Sequence, residues 1–496
     1  MPPQETILCA TASSSTSAGS GSISIHDFKN GAILASFKQT NAGPNCTTYF
    51  ESKQSQGGFL LAAQPDKSLL HHYNFQKDQI SMKIVLPEKL SCVALDPKGD
   101  FCAAGTSQGR IYLWETSSGI LYNSWDAHYR QVNVLRFTCD GAALISGSDD
   151  SGVSVWSVSR LIDEDLQNDL PLSLFSLSDH TLPVTDIICG IGAFPSCRIL
   201  TASADHSVKL WDLASKSLLT TFMFPQVIST LAWDITERLF FAASSDGSIY
   251  QMNLFREREA IGGGGVSDVI RAADETRKER LITAGDPVTC IAISMTSSLL
   301  VGTSTGLIHI YDIPTHQLMR TITTHKGFSI TYLSTLLKPV DLIGHISLTL
   351  NVGGSADARD VIPVRPVVPF QRIRDVKTRE LHELSMILPT QDHVYDDEAT
   401  FYSEDSLLCD QAYFLSTSAS LDRGHDAAAL QSRVAELEAE VSLLRGQLGQ
   451  AKGVNNLMWE NVVQKVIGQA KSKGANGLPS NADVDSSERA RKRGRS

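Results

Sequence analysis

Through the first two thirds of the chain, short runs of alternating apolar and polar residues recur, each set off by a small polar turn. In GRIYLWE (109–115), SDDSGVSVWS (148–157) and ADHSVKLWD (204–212) the turn leads into a run that ends on tryptophan, as in Val153, Val155 and Trp156, or Val208, Leu210 and Trp211. A period of two places one side of an extended segment toward a core, so each run reads as a half-buried strand. Aligning the tryptophan-like position gives His26, His72, Trp114, Trp156, Trp211, Met252 and Tyr311, with spacings of 46, 42, 42, 55, 41 and 59. Four spacings sit near the ~40–45 residues of a propeller blade repeat. The two long ones contain insertions, LIDEDLQNDLP (161–171) and a charged stretch at 256–280 that includes the tetraglycine 262–265. The pattern predicts an all-β fold, a seven-bladed β-propeller.

Turns support the strand assignments: Asp140-Gly141, Asp246-Gly247, Thr305-Gly306 and Pro97-Lys98-Gly99 all lie between apolar runs. Residues 6–40 hold only three strand candidates, TILCATA, SISIHDF and AILASFK, whereas a blade normally has four. The stretch SITYLSTLL (329–337) stands alone after the seventh unit and is expected to supply the innermost strand of the first blade. Such an interlock would close the ring without a free edge.

Two units carry a further polar set: His128, Ser146, Asp150 and Trp156 in one, His180, Thr201, Asp205 and Trp211 in the next. In both, the hydroxyl residue precedes Asp by four and Asp precedes Trp by six. A buried chain of hydrogen bonds from indole to hydroxyl to imidazole to carboxylate satisfies every member. The same residue types could form a catalytic triad, but their recurrence at blade spacing argues for a structural lock. Blades one, two, six and seven lack the full set.

Beyond about Asp341 the pattern changes. VIPVRPVVPF (361–370) has three prolines, which exclude a central strand and suit an extended arm. HVYDDEATFYSEDSLLCDQAYF (393–414) is acidic and aromatic, a linker or docking peptide. Residues 427–448 then switch to a heptad pattern with Val434, Val441 and Leu448 at a and Leu430, Leu437 and Leu444 at d, the pattern of a parallel two-stranded coiled coil, with a single helix packed on the propeller as the alternative. Arg433 and Glu440 at g would face Glu438 and Arg445 at e of a partner helix. The tail ends on Arg489, Arg491, Lys492, Arg493 and Arg495, which suits nuclear import, phosphate contact or a solvated end. The expected organisation is a propeller over 1–350, an extended and acidic linker arm over 351–425, a coiled-coil α-helical extension over 426–470 and a basic tail over 471–496.

Charge and chemistry narrow the function. With 43 basic and 54 acidic residues the net charge is −11, so any RNA contact must be local. Nine scattered cysteines and an N-terminus without a basic flank and apolar core fit a reduced, nucleocytoplasmic protein. No apolar run approaches the ~18 residues of a bilayer span, so no membrane partner is expected. Cys189 and Cys197 match no common zinc spacing, and His71 and His72 lack ligand companions. The tetraglycine has no following Gly-Lys-Ser/Thr and reads as a flexible insertion. No catalytic, cofactor-binding or metal-binding set emerges, which leaves a non-enzymatic scaffold for protein–protein interaction.

GRIYLWETSSGILYNSWDAHYRQVNVL (109–135) and SDHTLPVTDI (178–187) resemble the WD-repeat subunits of the fungal pre-rRNA-processing complex and their animal counterparts. The resemblance covers about residues 5–350 and continues more loosely to the C-terminal helix. It implies a nuclear, non-catalytic factor, in nucleoplasm or nucleolus, for removal of the second internal transcribed spacer and assembly of the large ribosomal subunit (pre-60S). The partners it implies are a helical-repeat scaffold subunit, a smaller helical subunit, a midasin-type AAA ATPase and the pre-60S particle, with self-pairing through the C-terminal helix. No role is carried onto the basic tail. The alternative is a WD-repeat adaptor of another nuclear machine, a ubiquitin-ligase substrate receptor or a chromatin or replication-licensing factor.

Overall fold

The computed structural model describes residues 4–13, 19–51, 57–163, 171–254, 268–271, 281–344 and 365–374, and, in the C-terminal region, residues 437, 439–447 and 452. Seven antiparallel sheets form the propeller. Blades two to seven take their strands in chain order, over 47–85, 90–126, 132–177, 184–223, 228–283 and 288–322. The seven positions aligned from the sequence, His26 to Tyr311, all fall on the third strand counted from the centre.

Blade one closes the ring as expected. Its order is Phe328–Leu337, Glu5–Ser13, Ser22–Asp27, Ile33–Lys38, so the last strand of the propeller lies innermost beside the first. Glu5 pairs with Leu337 and Cys9 with Leu333, and the Thr6 hydroxyl donates to the Leu336 carbonyl at 3.0 Å. No single stretch of chain owns this blade, so opening the ring requires breaking a full strand pairing.

Blades pack through apolar layers between neighbours. Gly105, Gly147 and Gly302 share one register in the second strands of blades three, four and seven. A Cβ at these glycines would lie 2.7–2.8 Å from Val132, Val184 and Ile330 of the next inner strand. Close approach of adjacent sheets therefore demands glycine there.

Two insertions do more than loop. A short helix, Val158–Ile162, opens the first and buries Val158 and Leu161 between blades three and four. In the second, Asp268–Arg271 leaves blade six and pairs in parallel with Ser217–Met223, adding a fifth strand to blade five. The insertion was expected to be only flexible; part of it instead covers the outer edge of the neighbouring blade, where unpaired backbone groups await a partner. The tetraglycine itself lies outside the described residues.

Part of the arm packs on the propeller. Residues 365–374 are extended, with no ladder, and lie against blade three: Val368 N–H donates to the Thr116 carbonyl at 3.1 Å and Gln371 N–H to the Gly119 carbonyl at 2.8 Å. Val367 and Phe370 are buried in the same apolar cluster as Trp114, Tyr112 and Phe50. Arg365 lies 4.3 Å over the Phe50 ring and pairs with Asp100. Residues 365–374 thus pack as part of the blade-three cluster.

A second compact unit spans Thr390–Ser496. Its described residues 439–447 are helical, and Leu437, Val441 and Leu444 of the heptad pattern are 46 %, 46 % and 54 % exposed. Leu430, Val434 and Leu448, the acidic segment 393–414, and the tail with Arg489, Arg491, Lys492, Arg493 and Arg495 lie outside the described residues.

Candidate functional site

The structure brings each polar set of blades four and five together. In blade four, Trp156 Nε1–H donates to Ser146 Oγ at 3.0 Å, Ser146 Oγ lies 2.8 Å from His128 Nε2, and His128 Nδ1 lies 3.2 Å from Asp150. In blade five the distances are 2.9 Å from Trp211 to Thr201, 2.8 Å from Thr201 to His180 and 2.9 Å from His180 to Asp205. With an ionised Asp accepting from Nδ1–H, the hydroxyl must donate to Nε2, and the indole fills the remaining lone pair. Ser146 and Thr201 are fully buried, so no reactant reaches either hydroxyl.

Each Asp also holds the loop beyond its histidine. Asp150 accepts Tyr129 N–H at 3.0 Å and Gly152 N–H at 2.9 Å; Asp205 accepts Thr181 N–H at 3.3 Å and Ser207 N–H at 3.0 Å. Burial opposes ionisation of Asp150, but the His128 and backbone N–H donors outweigh it and bring its pKa down to about 2. The same donors from His180 and Ser207 hold Asp205 lower still.

The register explains why the set stops there. The hydroxyl position pairs with the residue two before the tryptophan position, and across the blades it is Cys9, Ala63, Ala104, Ser146, Thr201, Ala242 and Val301. Only blades four and five have an oxygen to receive the indole. In blade three, Ala104 leaves Trp114 without that partner, and its Nε1–H instead donates to the Gln371 carbonyl of the arm at 2.9 Å. Phe370 stacks on Trp114 at 5.2 Å, and Trp114 stacks on Tyr112 at 5.2 Å.

Blade one has a two-residue version that the sequence reasoning missed. His26 Nδ1 lies 3.2 Å from the Gly31 carbonyl, to which it donates, so His26 Nε2 accepts from His325 Nε2–H at 2.8 Å. The signal was legible: Thr324-His325-Lys326-Gly327 precedes the closing strand much as His128 and His180 precede theirs. In blade two, neither buried nitrogen of His72 has a hydrogen-bond partner.

The innermost strands surround a cavity of about 450 Å³. Its wall carries one ion pair, Arg136 to Asp186 at 3.3 Å, with Asn45 also accepting from Arg136 at 3.2 Å. Asp186 is buried and accepts Leu231 N–H and Ile187 N–H, both at 2.9 Å. A carboxylate so committed has no free lone pair for a reactant. Burial pushes the Cys46, Cys92 and Cys290 thiols up to about 12, so they stay protonated at neutral pH. Cys197 is buried and Cys189 partly so, packed in the core between blades four and five. Among the described residues, no group of three His, Cys, Asp or Glu side chains could hold a metal ion.

Comparison with known proteins agrees with this architecture. Residues 84–115, 119–157 and 172–212 match the WD domain, G-beta repeat. The chain is 32 % identical to pre-rRNA-processing protein IPI3 of Mycosarcoma maydis over 93 % of this chain and 96 % of the relative. It is 29 % identical to IPI3 of Yarrowia lipolytica over 91 % and 98 %, and 31 % identical to WD repeat-containing protein 18 of Bos taurus over 85 % and 91 %. A seven-bladed ring matched by relatives along nearly its whole length places the chain in the IPI3 family of WD-repeat pre-rRNA-processing proteins.

Proposed function

We propose that the protein is a non-catalytic scaffold subunit of a nuclear complex that removes the second internal transcribed spacer and matures the pre-60S particle. The observation that carries this reading is the length of the similarity to IPI3 of Mycosarcoma maydis, 93 % of this chain and 96 % of the relative. A propeller alone would match many unrelated WD-repeat proteins, and fold does not fix function. The C-terminal region matches along with it.

Within the complex, the propeller joins a helical-repeat scaffold subunit and a smaller helical subunit, and the assembly meets a midasin-type AAA ATPase on the particle. The C-terminal helix pairs with a second copy, in keeping with the exposure of Leu437, Val441 and Leu444. Sedimentation of the full chain with its partner subunits, against a Leu437→Asp/Leu444→Asp variant, tests the pairing; a monomer in both cases rejects it. Depletion of the protein followed by northern blotting tests the main reading. Precursors retaining the second spacer should accumulate, and normal processing under full depletion would transfer the protein to the adaptor class.

A further inference from the structure

Strands alternate in direction across each blade, so the loops before the innermost strand and those between the second and third strands share one face. The contacts from His128 to Asp150 and from His180 to Asp205 join these two kinds of loop, which fixes that face in blades four and five. On it, Tyr129 is 99 % exposed and Leu182 48 % exposed, on neighbouring blades, with Pro225 exposed on the next.

Exposure alone would mean little, but the backbone that carries Tyr129 is also held in place. Its N–H is fixed by Asp150, which the buried His128–Ser146–Trp156 chain fixes in turn. Leu182 follows Thr181, whose N–H is fixed by Asp205, and the Leu182 carbonyl accepts from Ser203 Oγ at 2.9 Å. Two large apolar side chains are therefore presented to water on rigid loops. Pre-ordered anchors lose little freedom on binding, and tyrosine is enriched among residues that dominate interface energies.

Charge selects the occupant. In blades four to seven the loops of this face carry Asp149, Asp150, Asp179, Asp205, Asp246 and Asp286 against one arginine, Arg130. The described loops on the opposite side of the same blades are nearly balanced: Asp140, Asp163, Asp234 and Glu237 against Arg160, Lys216 and Arg238. Six carboxylates around two apolar anchors repel a phosphate backbone and attract lysine and arginine.

We propose that this face of blades four to seven docks a basic polypeptide segment, whose apolar side chains pack on Tyr129 and Leu182 while its cations meet the surrounding aspartates. The opposite face of blades two and three is engaged by the chain's own residues after the closing strand, Ile343 on Phe75 and the 365–374 arm on blade three. Among the described residues beyond the closing strand, these contacts are made to that opposite face and not to the acidic loops. This inference stands whichever pathway the protein serves.

The test uses the full chain and fluorescence anisotropy with three labelled probes: a short lysine–arginine peptide with leucine at every fourth position, the same peptide with serine replacing leucine, and single-stranded RNA of equal length. The leucine peptide should bind most tightly. Tyr129→Ala with Leu182→Ser should weaken it roughly tenfold, and Asp179→Asn with Asp246→Asn should weaken it and flatten its salt dependence. These side chains face water and the asparagine at 246 keeps the Ser248 N–H bond, so thermal melting should stay at the parent value. Three outcomes overturn the proposal: equal binding of the serine peptide, leucine-peptide binding indifferent to both variant pairs, or RNA binding that the Tyr129→Ala/Leu182→Ser pair abolishes.

Discussion

Blades four and five satisfy Trp156 and Trp211 from within, whereas blade three satisfies Trp114 from a segment more than 250 positions away. One methyl against one hydroxyl makes the difference: Ala104 stands where Ser146 and Thr201 stand. A buried indole N–H left without an acceptor is costly, and for Trp114 the acceptor is the Gln371 carbonyl. The internal lock orders a loop on one face; the external one ties the C-terminal arm to the other side. The same aromatic position thus serves either loop order or chain routing, according to what lies opposite it in the second strand.

The largest effect should come from removing what both kinds of blade depend on, the closed ring. Truncation before Phe328 takes the innermost strand from blade one and exposes a full edge, and the protein should aggregate. Truncation after 350 should by contrast leave the ring closed yet strip Val367 and Phe370 from their cluster. A soluble but less stable propeller is expected, seen as a lower melting temperature.

Next in size are the two tryptophan environments compared directly. Trp211→Ala removes a buried ring and leaves Thr201 without its donor, while Phe370→Ala removes the stacking partner of Trp114. Large-to-small changes of this kind lose about 3–5 kcal/mol. Denaturant melts should find both destabilising; a neutral Phe370→Ala would mean that the arm adds nothing to blade three. Asp205→Ala leaves the buried His180 without its acceptor, a loss of about 1–3 kcal/mol for that group, and should loosen the Thr181–Leu182 loop in hydrogen exchange.

The smallest predicted effect is on acid stability. Burial holds the His72 imidazole at about 4, and burial together with His26 holds His325 at about 4. Both titrate near 6.5 in an unfolded chain. Between pH 6.5 and 4 the unfolded state therefore binds more protons, and stability falls as pH drops through that window. Below 3.8 the unfolded chain takes up a proton at Asp150 that the folded protein refuses, so its contribution is lost as pH falls toward 2. Urea midpoints measured from pH 7 to 4 should show the first decline, and His72→Phe should flatten it.

Much of this was readable from residue order. Strand alternation gave seven units with the correct third strands, and the lone stretch at 329–337 gave the closing strand, because period-two patterning and blade spacing are local properties. The polar sets were equally legible, since hydroxyl, Asp and Trp sit at fixed offsets within one blade. The arm was not: three prolines announced extended backbone but not its destination. Nothing in VIPVRPVVPF names Trp114, and the need it meets is an absence, the methyl of Ala104. The strand Asp268–Arg271 was hidden for a similar reason, since its partner belongs to another blade.

Sequence by itself determined the repeat, the number of blades, the way the ring closes and the residues of the two polar sets, because each follows from spacing along one short stretch. Tertiary structure alone decided which face is acidic, which aromatic side chains stand in water, and where the chain beyond the propeller is tied. Those properties arise from loops of different blades brought side by side. Charge on a face is a sum over segments dozens of residues apart, and a buried donor takes whatever acceptor the fold delivers to it.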